Sequence, residues 1–270
     1  FDLETLTNPY SDTRVLFGDA SIEVDKVLCG IDIEPAEILL ADNLNAKGEG
    51  IDAVIAHHPL GAGYAALHEV MELQADLIAS YGVPINIAEG VMRDRIAEVS
   101  RTIAPRNHFR TVDAARLLRM PLLCVHTPAD NLCFKFLKEL MEKKNPEYVG
   151  DVLEILKEVP EYAEAVKGKN GPVIFVGDER NHCGKVVPAE ITGGTEGAKE
   201  IYEKMAAAGI GTIIGMHASE EHRKECQKYH INMVIAGHMA SDSVGLNRFF
   251  DALEKRGVEV LACSGLIRVK

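Results

Sequence analysis

Ile51-Asp52-Ala53-Val54-Ile55-Ala56-His57-His58-Pro59-Leu60 joins a short apolar run to two adjacent histidines and a proline. Successive side chains of a strand point to opposite faces, so neighbouring histidines can serve one site only where the strand ends. There they suit two metals side by side better than one. Strand ends facing a loop are also where α/β proteins place their chemistry. The plainer alternative is one buried, hydrogen-bonded histidine beside one exposed loop histidine, and the pair alone does not decide between them.

Working outward, short β-branched runs alternate with longer amphipathic ones. Residues 27–33 read as a strand and 34–46 as a helix with Pro35 in its first turn. A strand at 53–56 precedes a helix over 65–81 that Gly82 stops, then a strand-like 84–87 and a helix over 89–103. The run Leu122-Leu123-Cys124-Val125-His126 is a strand leading into a helix with the stripe Cys133, Phe136, Leu137, Leu140. Residues 145–170 are polar, with two proline breaks, and read as a connection between lobes. Residues 172–176 and 184–191 suggest a β-pair, followed by a glycine-rich turn and a helix over 197–208. Strands at 212–214 and 232–236 flank a helix near 220–229. A last helix carries Leu246, Phe249, Phe250 and Leu253, and a strand at 258–262 closes the chain. This alternation predicts an α/β fold with mostly parallel or mixed sheets. No internal repeat stands out.

Composition narrows the function classes. At 270 residues the chain can bury a full core, as one large domain or two lobes. No run approaches the roughly 18 apolar residues of a membrane span, and the first residues do not resemble a signal peptide. Phe1 in place of Met suggests that a residue or more has been removed or left out, and the expected location is cytoplasmic. Lys and Arg number 29 against 41 Asp and Glu, a formal charge of −12. A field of that sign repels phosphate backbones and argues against a broad nucleic-acid surface, though not against a small nucleotide. The six cysteines are scattered without a CxxC pair, as expected of small core residues in a reducing compartment.

Three segments share one layout, a hydrophobic strand running into a polar tip with histidine: Val54 to His58, Leu123 to Asp130, and Val234 to Asp242. The last two add a carboxylate four residues after the histidine, His126 with Asp130 and His238 with Asp242, as a helix begins. Each aspartate also suits a helix N-cap, which would satisfy free amides without any metal, and Ser241 or Ser243 could cap the last helix instead. If the three tips converge, their imidazoles and carboxylates suit two divalent ions about 3.5–4 Å apart. Nitrogen and oxygen donors without thiolate favour zinc, iron or manganese.

His57-His58-Pro59-Leu60, His126-Thr127-x-x-Asp130 and Gly237-His238-x-x-x-Asp242, in this order, resemble the Nif-three-like family. The family is also called the GTP cyclohydrolase I type 2 homologues or dinuclear metal centre hexameric proteins. Asp12-Thr13 to Gly18-Asp19 and Gly193-Gly194-Thr195-Glu196-Gly197 add to the match, which spans most of the chain. The resemblance implies two α/β lobes with two divalent metals between them, approximately 1–127 with 240–270, and 128–239. It implies that His57 and His238 hold one metal, that His58 and Asp130 hold the other, and that Asp242 stands where the family has a bridging glutamate. Aspartate is one methylene shorter, so the bridge could be tighter or could bind a single ion. A ring-shaped homohexamer and a small-molecule substrate, possibly a nucleotide, are also implied.

His126 lies near these ligands without being one of them. It is the candidate acid–base residue, or alternatively orients Asp130. The Gly193–Gly197 turn could cradle a phosphate but matches no phosphate-binding fingerprint, so it reads as a plain turn. His217 and His222 read as surface residues. The function expected is metal-dependent hydrolysis of a nucleotide or similar small molecule. The alternative is a non-catalytic ring that regulates, stores or delivers metal, and a smaller possibility is that the histidines are structural.

Overall fold

The computed structural model describes residues 6–269, so Phe1 lies outside the described residues. The alternation resolves into two mixed sheets, as the α/β reading expects. The first contains β1 (Arg14–Phe17), β2 (Lys26–Gly30), β3 (Ala53–Ala56), β4 (Leu122–Cys124) and the late-arriving β9 (Glu259–Cys263), in the order β1-β4-β3-β2-β9. The second contains β5 (Val173–Val176), β6 (Lys185–Glu190), β7 (Ile210–Gly215) and β8 (Asn232–Ile235), in the order β5-β8-β7-β6. All pairings are parallel except the edge pairs β1–β4 and β5–β8. The inner strands β3 and β8 are buried along their whole length, which is why they read as continuous apolar runs rather than alternating ones.

The sheets repeat one another, a relation that the sequence hides. In each, an antiparallel edge strand pairs with the strand that feeds a histidine, and each edge strand carries a register shift, at Val15/Phe17 and at Ile174/Val176. Each edge strand then ends in a positive-φ glycine, Gly18 or Gly177, followed by an aspartate, Asp19 or Asp178. The Val125 amide donates to Ala56 O at 2.9 Å, and the Ala236 amide donates to Gly215 O at 2.8 Å. On this correspondence His57-His58 at the end of β3 matches Met216-His217 at the end of β7. Little identity survives because buried strands need only apolar residues of about the right size.

The helices depart from the sequence reading in several places. Residues 84–87 are not a strand: Pro84 caps α4 (Ile85–Ile103), and Ile85 is exposed where a buried strand would need it covered. The span read as one helix over 65–81 is broken into α2 (Gly61–Ala65), a 3₁₀ turn (Leu67–Met71) and α3 (Glu72–Ser80). The segments 172–176 and 184–191 do not pair with each other; as β5 and β6 they form opposite edges of the second sheet. Residues 145–170 are not a linker but hold α7 (Val149–Lys157) and α8 (Pro160–Lys167), whose Val152, Leu156 and Tyr162 are fully buried.

The helices around the site are α1 (Pro35–Ala46), α5 (Arg110–Leu118), α6 (Thr127–Lys144) and α11 (His238–Glu254), while α9 (Ile201–Ala207) and α10 (Glu220–Lys228) pack against the second sheet. Cys133 and Leu137 of α6 pack with Ala240 and Val244 of α11, while the 3₁₀ turn, α3 and α4 bury Met71, Leu77 and Met92 against Ile213 and Met233 of the second sheet. Ala129 of α6 and Leu246 and Phe250 of α11 pack against Val27 and Ile55 of the first sheet, so the cores of both sheets share α6 and α11. The cysteines are free, five of them buried and Cys263 partly so, as their apolar settings predicted. Among the described residues no helix is long and apolar enough to cross a membrane.

Candidate metal centre

The three histidine-bearing tips converge. His57 and His58 follow β3, His126 and Asp130 lie where β4 enters α6, and His238 and Asp242 lie where β8 enters α11. Neither aspartate caps its helix. The cap positions belong to His126 and Gly237, so Asp130 sits in the first turn and Asp242 beyond it. The serines are not caps either: Ser241 Oγ donates to Gly237 O and Ser243 Oγ to Met239 O, both at 2.7 Å. Gly237 at φ 104° lets the chain turn sharply from β8 into α11.

His57 Nε2 lies 3.3 Å from Asp130 Oδ1 and 3.5 Å from Asp242 Oδ1. The other oxygen of Asp242, Oδ2, lies 3.5 Å from His58 Nε2 and 3.6 Å from His238 Nε2, and these two nitrogens are 3.3 Å apart. Two ligand groups result, His57-Asp130-Asp242 and His58-His238-Asp242, and Asp242 presents one oxygen to each. The resemblance pairs the same residues differently, His57 with His238 and His58 with Asp130. A third group, His57-His58-His126, shows that His126 also lies within ligand reach.

The histidines are oriented from behind. His57 Nδ1 donates to the Val125 carbonyl at 3.0 Å, His58 Nδ1 to Asp32 Oδ1 at 2.6 Å, and His126 Nδ1 to Asp12 Oδ2 at 2.8 Å. A proton on each Nδ1 leaves each Nε2 lone pair facing the cluster, the arrangement metal-ligating histidines use. Asp12, itself fully buried, also accepts from Thr127 Oγ1 at 2.6 Å, and Thr13 Oγ1 accepts from the His126 amide at 3.0 Å.

Among the described residues, His57 Nε2, Asp130 Oδ1 and both oxygens of Asp242 are buried without a hydrogen-bond partner. A buried polar atom left so costs on the order of 1–3 kcal/mol, more when charged. Carboxylate oxygens and imidazole lone pairs are all acceptors, so they cannot satisfy one another; only a cation or a proton can. The donor set therefore fits divalent metal ions. Burial opposes a charge on His57, but the carboxylates of Asp242 and Asp130 outweigh it and raise its pKa well above the ordinary value. Burial likewise works against charge on Asp242, yet His57, His58 and His238 hold its carboxyl far below the usual range. His238 goes the other way: burial lowers it despite Asp242. Burial also opposes charge on His58, yet Asp242 and Asp32 raise it, so in the absence of a metal the proton that the cluster needs falls first to His57, which is raised furthest.

His57, Asp130 and Asp242 are buried, whereas His58 and His238 are half-buried and face a cavity of about 690 Å³. His126 and His217 line that cavity too, and the His217 ring lies over that of His238 with centroids 4.8 Å apart. The sequence reading passed over Asp12 and Asp32 as site residues and placed His217 on the surface. His217 is indeed exposed, but into this cavity; the match of β7 to β3 that accounts for its place shows in the fold and not in the sequence. His222, also read as a surface residue, is instead buried, with its Nδ1 2.7 Å from the Tyr202 hydroxyl. The Gly193–Gly197 segment is a turn held by Gln74 Nε2, which donates to Gly193 O and Thr195 O, both at 2.7 Å.

No family model matches the chain, and no curated protein does. Solved structures do. The crystal structure of a NIF3 superfamily protein from Sphaerobacter thermophilus is 32% identical, with a TM-score of 0.81 over 95% of this chain and 92% of that one. Reduced HcgD from Methanocaldococcus jannaschii (15% identity, TM-score 0.57, 97% of this chain and 92% of that one) shares the fold. So does TTHA1606 from Thermus thermophilus (14%, 0.51, 99% and 94%). Two mixed sheets, histidine-tipped strands converging on a shared aspartate, and this identity over nearly the whole length make the chain a member of the NIF3 superfamily.

Proposed function

We propose that the chain is a metal-dependent hydrolase of a nucleotide or similar small molecule, working with two divalent ions held by His57, His58, Asp130, His238 and Asp242. The observation that carries this reading is the set of buried acceptor atoms, on His57, Asp130 and Asp242, aimed at one another without a partner. Zinc, iron or manganese suits these nitrogen and oxygen donors. When bound, two such ions supply an activated water and neutralise charge on the attacked group.

The chain's own residues divide the remaining work. Asp242 ties the two ligand groups together through its separate oxygens. The His57-Asp130-Asp242 group is closed by protein, while His58 and His238 open to the cavity where a substrate has room. Asp12 holds the Nδ1 proton of His126, so Nε2 is the atom that takes a proton from the attacking water and returns it to the leaving group. His126 is the proposed catalytic residue.

The second reading, a ring that regulates, stores or delivers metal, draws on the buried group, since a closed site suits a structural ion. A homohexamer and a cytoplasmic location belong to the proposal. Exposed Val173 and Phe175 on edge strand β5 and exposed Leu117 on α5 support self-association.

Elemental analysis of protein purified without chelator, followed by a hydrolysis screen of nucleotides, tests the proposal. About two equivalents of metal are expected, with turnover that His58→Ala abolishes while the chain stays folded. Full activity in His58→Ala would defeat the hydrolase reading. Bound metal with no hydrolysis of any nucleotide would favour the ring.

A further inference from the structure

The cavity in front of His58 and His238 has a second wall, and its chemistry is opposite to that of the metal cluster. Arg95 and Arg106 reach it from α4 and the turn after it, and Arg110 with Thr111 forms the start of α5. In a chain of formal charge −12, three arginines around one cavity stand out against the overall field. Their partners are unequal. Arg95 pairs with Glu98 at 2.9 Å and Arg110 with Glu34 at 3.3 Å, but the Arg106 guanidinium donates to the Tyr64 hydroxyl at 2.8 Å and has no carboxylate partner among the described residues. Of the carboxylates lining the cavity, Glu34 is this partner of Arg110, and Asp32 is engaged by His58 Nδ1 at the metal end. The helix α5 adds a positive end to the same wall, since its N-terminus has no side-chain cap.

We propose that this wall is a phosphate subsite, so that the cavity takes a phosphorylated small molecule with its phosphate on Arg106 and the start of α5. Arginine binds phosphate through paired N–H groups, and free amides at a helix start add to that hold. The volume of about 690 Å³ suits a ligand of nucleotide size. Leu60, Leu67, Val99 and the Tyr64 ring also line the cavity and give apolar surface for the body of such a ligand. The inference deepens the proposed function and depends on it only for which end of the ligand reacts.

Titration calorimetry on the full chain, stripped of metal with chelator, reads this wall alone. The probes are adenosine 5′-monophosphate, adenosine and inorganic phosphate. We expect the monophosphate to bind at least tenfold more tightly than adenosine, inorganic phosphate to compete with it, and Arg106→Gln to lose about tenfold for the monophosphate only. Arg106 is exposed, so the variant is expected to melt like the parent. Equal affinity for adenosine and its monophosphate, or undiminished affinity in Arg106→Gln, would overturn the subsite. Binding that appears only once metal is restored and ignores Arg106→Gln would place the phosphate on the metals, overturning the subsite and leaving the metal reading intact. A wall that binds phosphate in a chain that takes up no metal would keep this inference and remove the hydrolase.

Discussion

Gly245 of α11 crosses the Ala129 carbonyl of α6 so closely that no side chain fits between them. Ala129 adjoins Asp130, and Gly245 lies one helical turn after Asp242, so this crossing sets the distance between the two carboxylates of the cluster. The helices share one seam, with Cys133 and Leu137 facing Ala240 and Val244. Gly245→Ala would drive a methyl into the Ala129 oxygen. We expect a loss of about 1–3 kcal/mol, read by thermal or urea unfolding, and a fall in metal content as Asp130 and Asp242 separate. A variant with parental stability and metal content would show that the seam does not position the site.

Asp12→Asn tests the support behind His126. The carboxylate accepts from His126 Nδ1, Thr127 Oγ1 and the Thr127 amide through Oδ2 and from Thr13 Oγ1 through Oδ1, so an asparagine removes the charge facing His126 and sets its N–H₂ against one of these donors. Loss of the tautomer lock is expected to lower turnover by about 100-fold while leaving the metals in place. Burial pushes the Asp12 carboxyl up, but His126 and Thr127 outweigh this and hold it below its usual value. A depressed carboxyl stabilises the fold above its unfolded pKa, near 3.9, and that contribution disappears as the pH falls through the folded value. Parent and variant should therefore differ most in stability above about pH 4 and converge in stronger acid, as acid unfolding curves would reveal. A gap that stays constant with pH would mean that Asp12 is not ionised in the fold.

How far the site could be read from the sequence depends on whether local chemistry or distant packing decides each feature. His57-His58-Pro59 marks a strand end by itself, and the strands on either side are apolar because both faces are covered. The capping role considered for Asp130 and Asp242 was wrong for a reason no local rule contains: the turn into α11 is made by Gly237 at φ 104°, which moves the cap upstream and frees Asp242 for the cluster. Asp12 sits 114 residues from His126, and no spacing in the chain announces that pair. Residues 145–170 looked like a linker because α7 and α8 are amphipathic over only 9 and 8 residues, too short for a clear period beside their charged faces. The β5 and β6 segments follow each other in sequence, so pairing them was the natural expectation; the sheet instead inserts β7 and β8 between them.

Metal uptake should release protons. In the metal-free chain Asp242 and Asp130 hold His57 protonated above the ordinary range, whereas a metal takes only the neutral ring. Affinity is therefore expected to rise with pH until it passes the raised pKa of His57. Titration calorimetry in buffers of differing ionisation enthalpy should report about one proton released per chain from this residue. Stability of the metal-free form runs the other way. A histidine with a raised folded pKa contributes fully below its unfolded value, near 6.5, and that contribution is lost as pH rises through the folded one. Heat of binding that does not vary with buffer would show His57 already neutral.

Asp242→Asn bears on the shared ligand itself. Asp242 Oδ1 faces His57 and Oδ2 faces both His58 and His238, so neutralising this one side chain removes charge from both ligand groups. An asparagine keeps the shape but offers one acceptor and turns N–H groups toward lone pairs that cannot receive a cation in their place. A site in which Asp242 bridges should lose both ions together, from about two equivalents to nearly none by elemental analysis. His238→Ala should behave differently, since His238 belongs to the half-exposed group alone, and the buried His57-Asp130-Asp242 group remains complete without it. Near-total loss in Asp242→Asn beside retention of about one ion in His238→Ala would establish the aspartate as a bridge despite its shorter arm. Retention of one ion in both variants would mean that Asp242 serves a single metal and that the two groups fill independently.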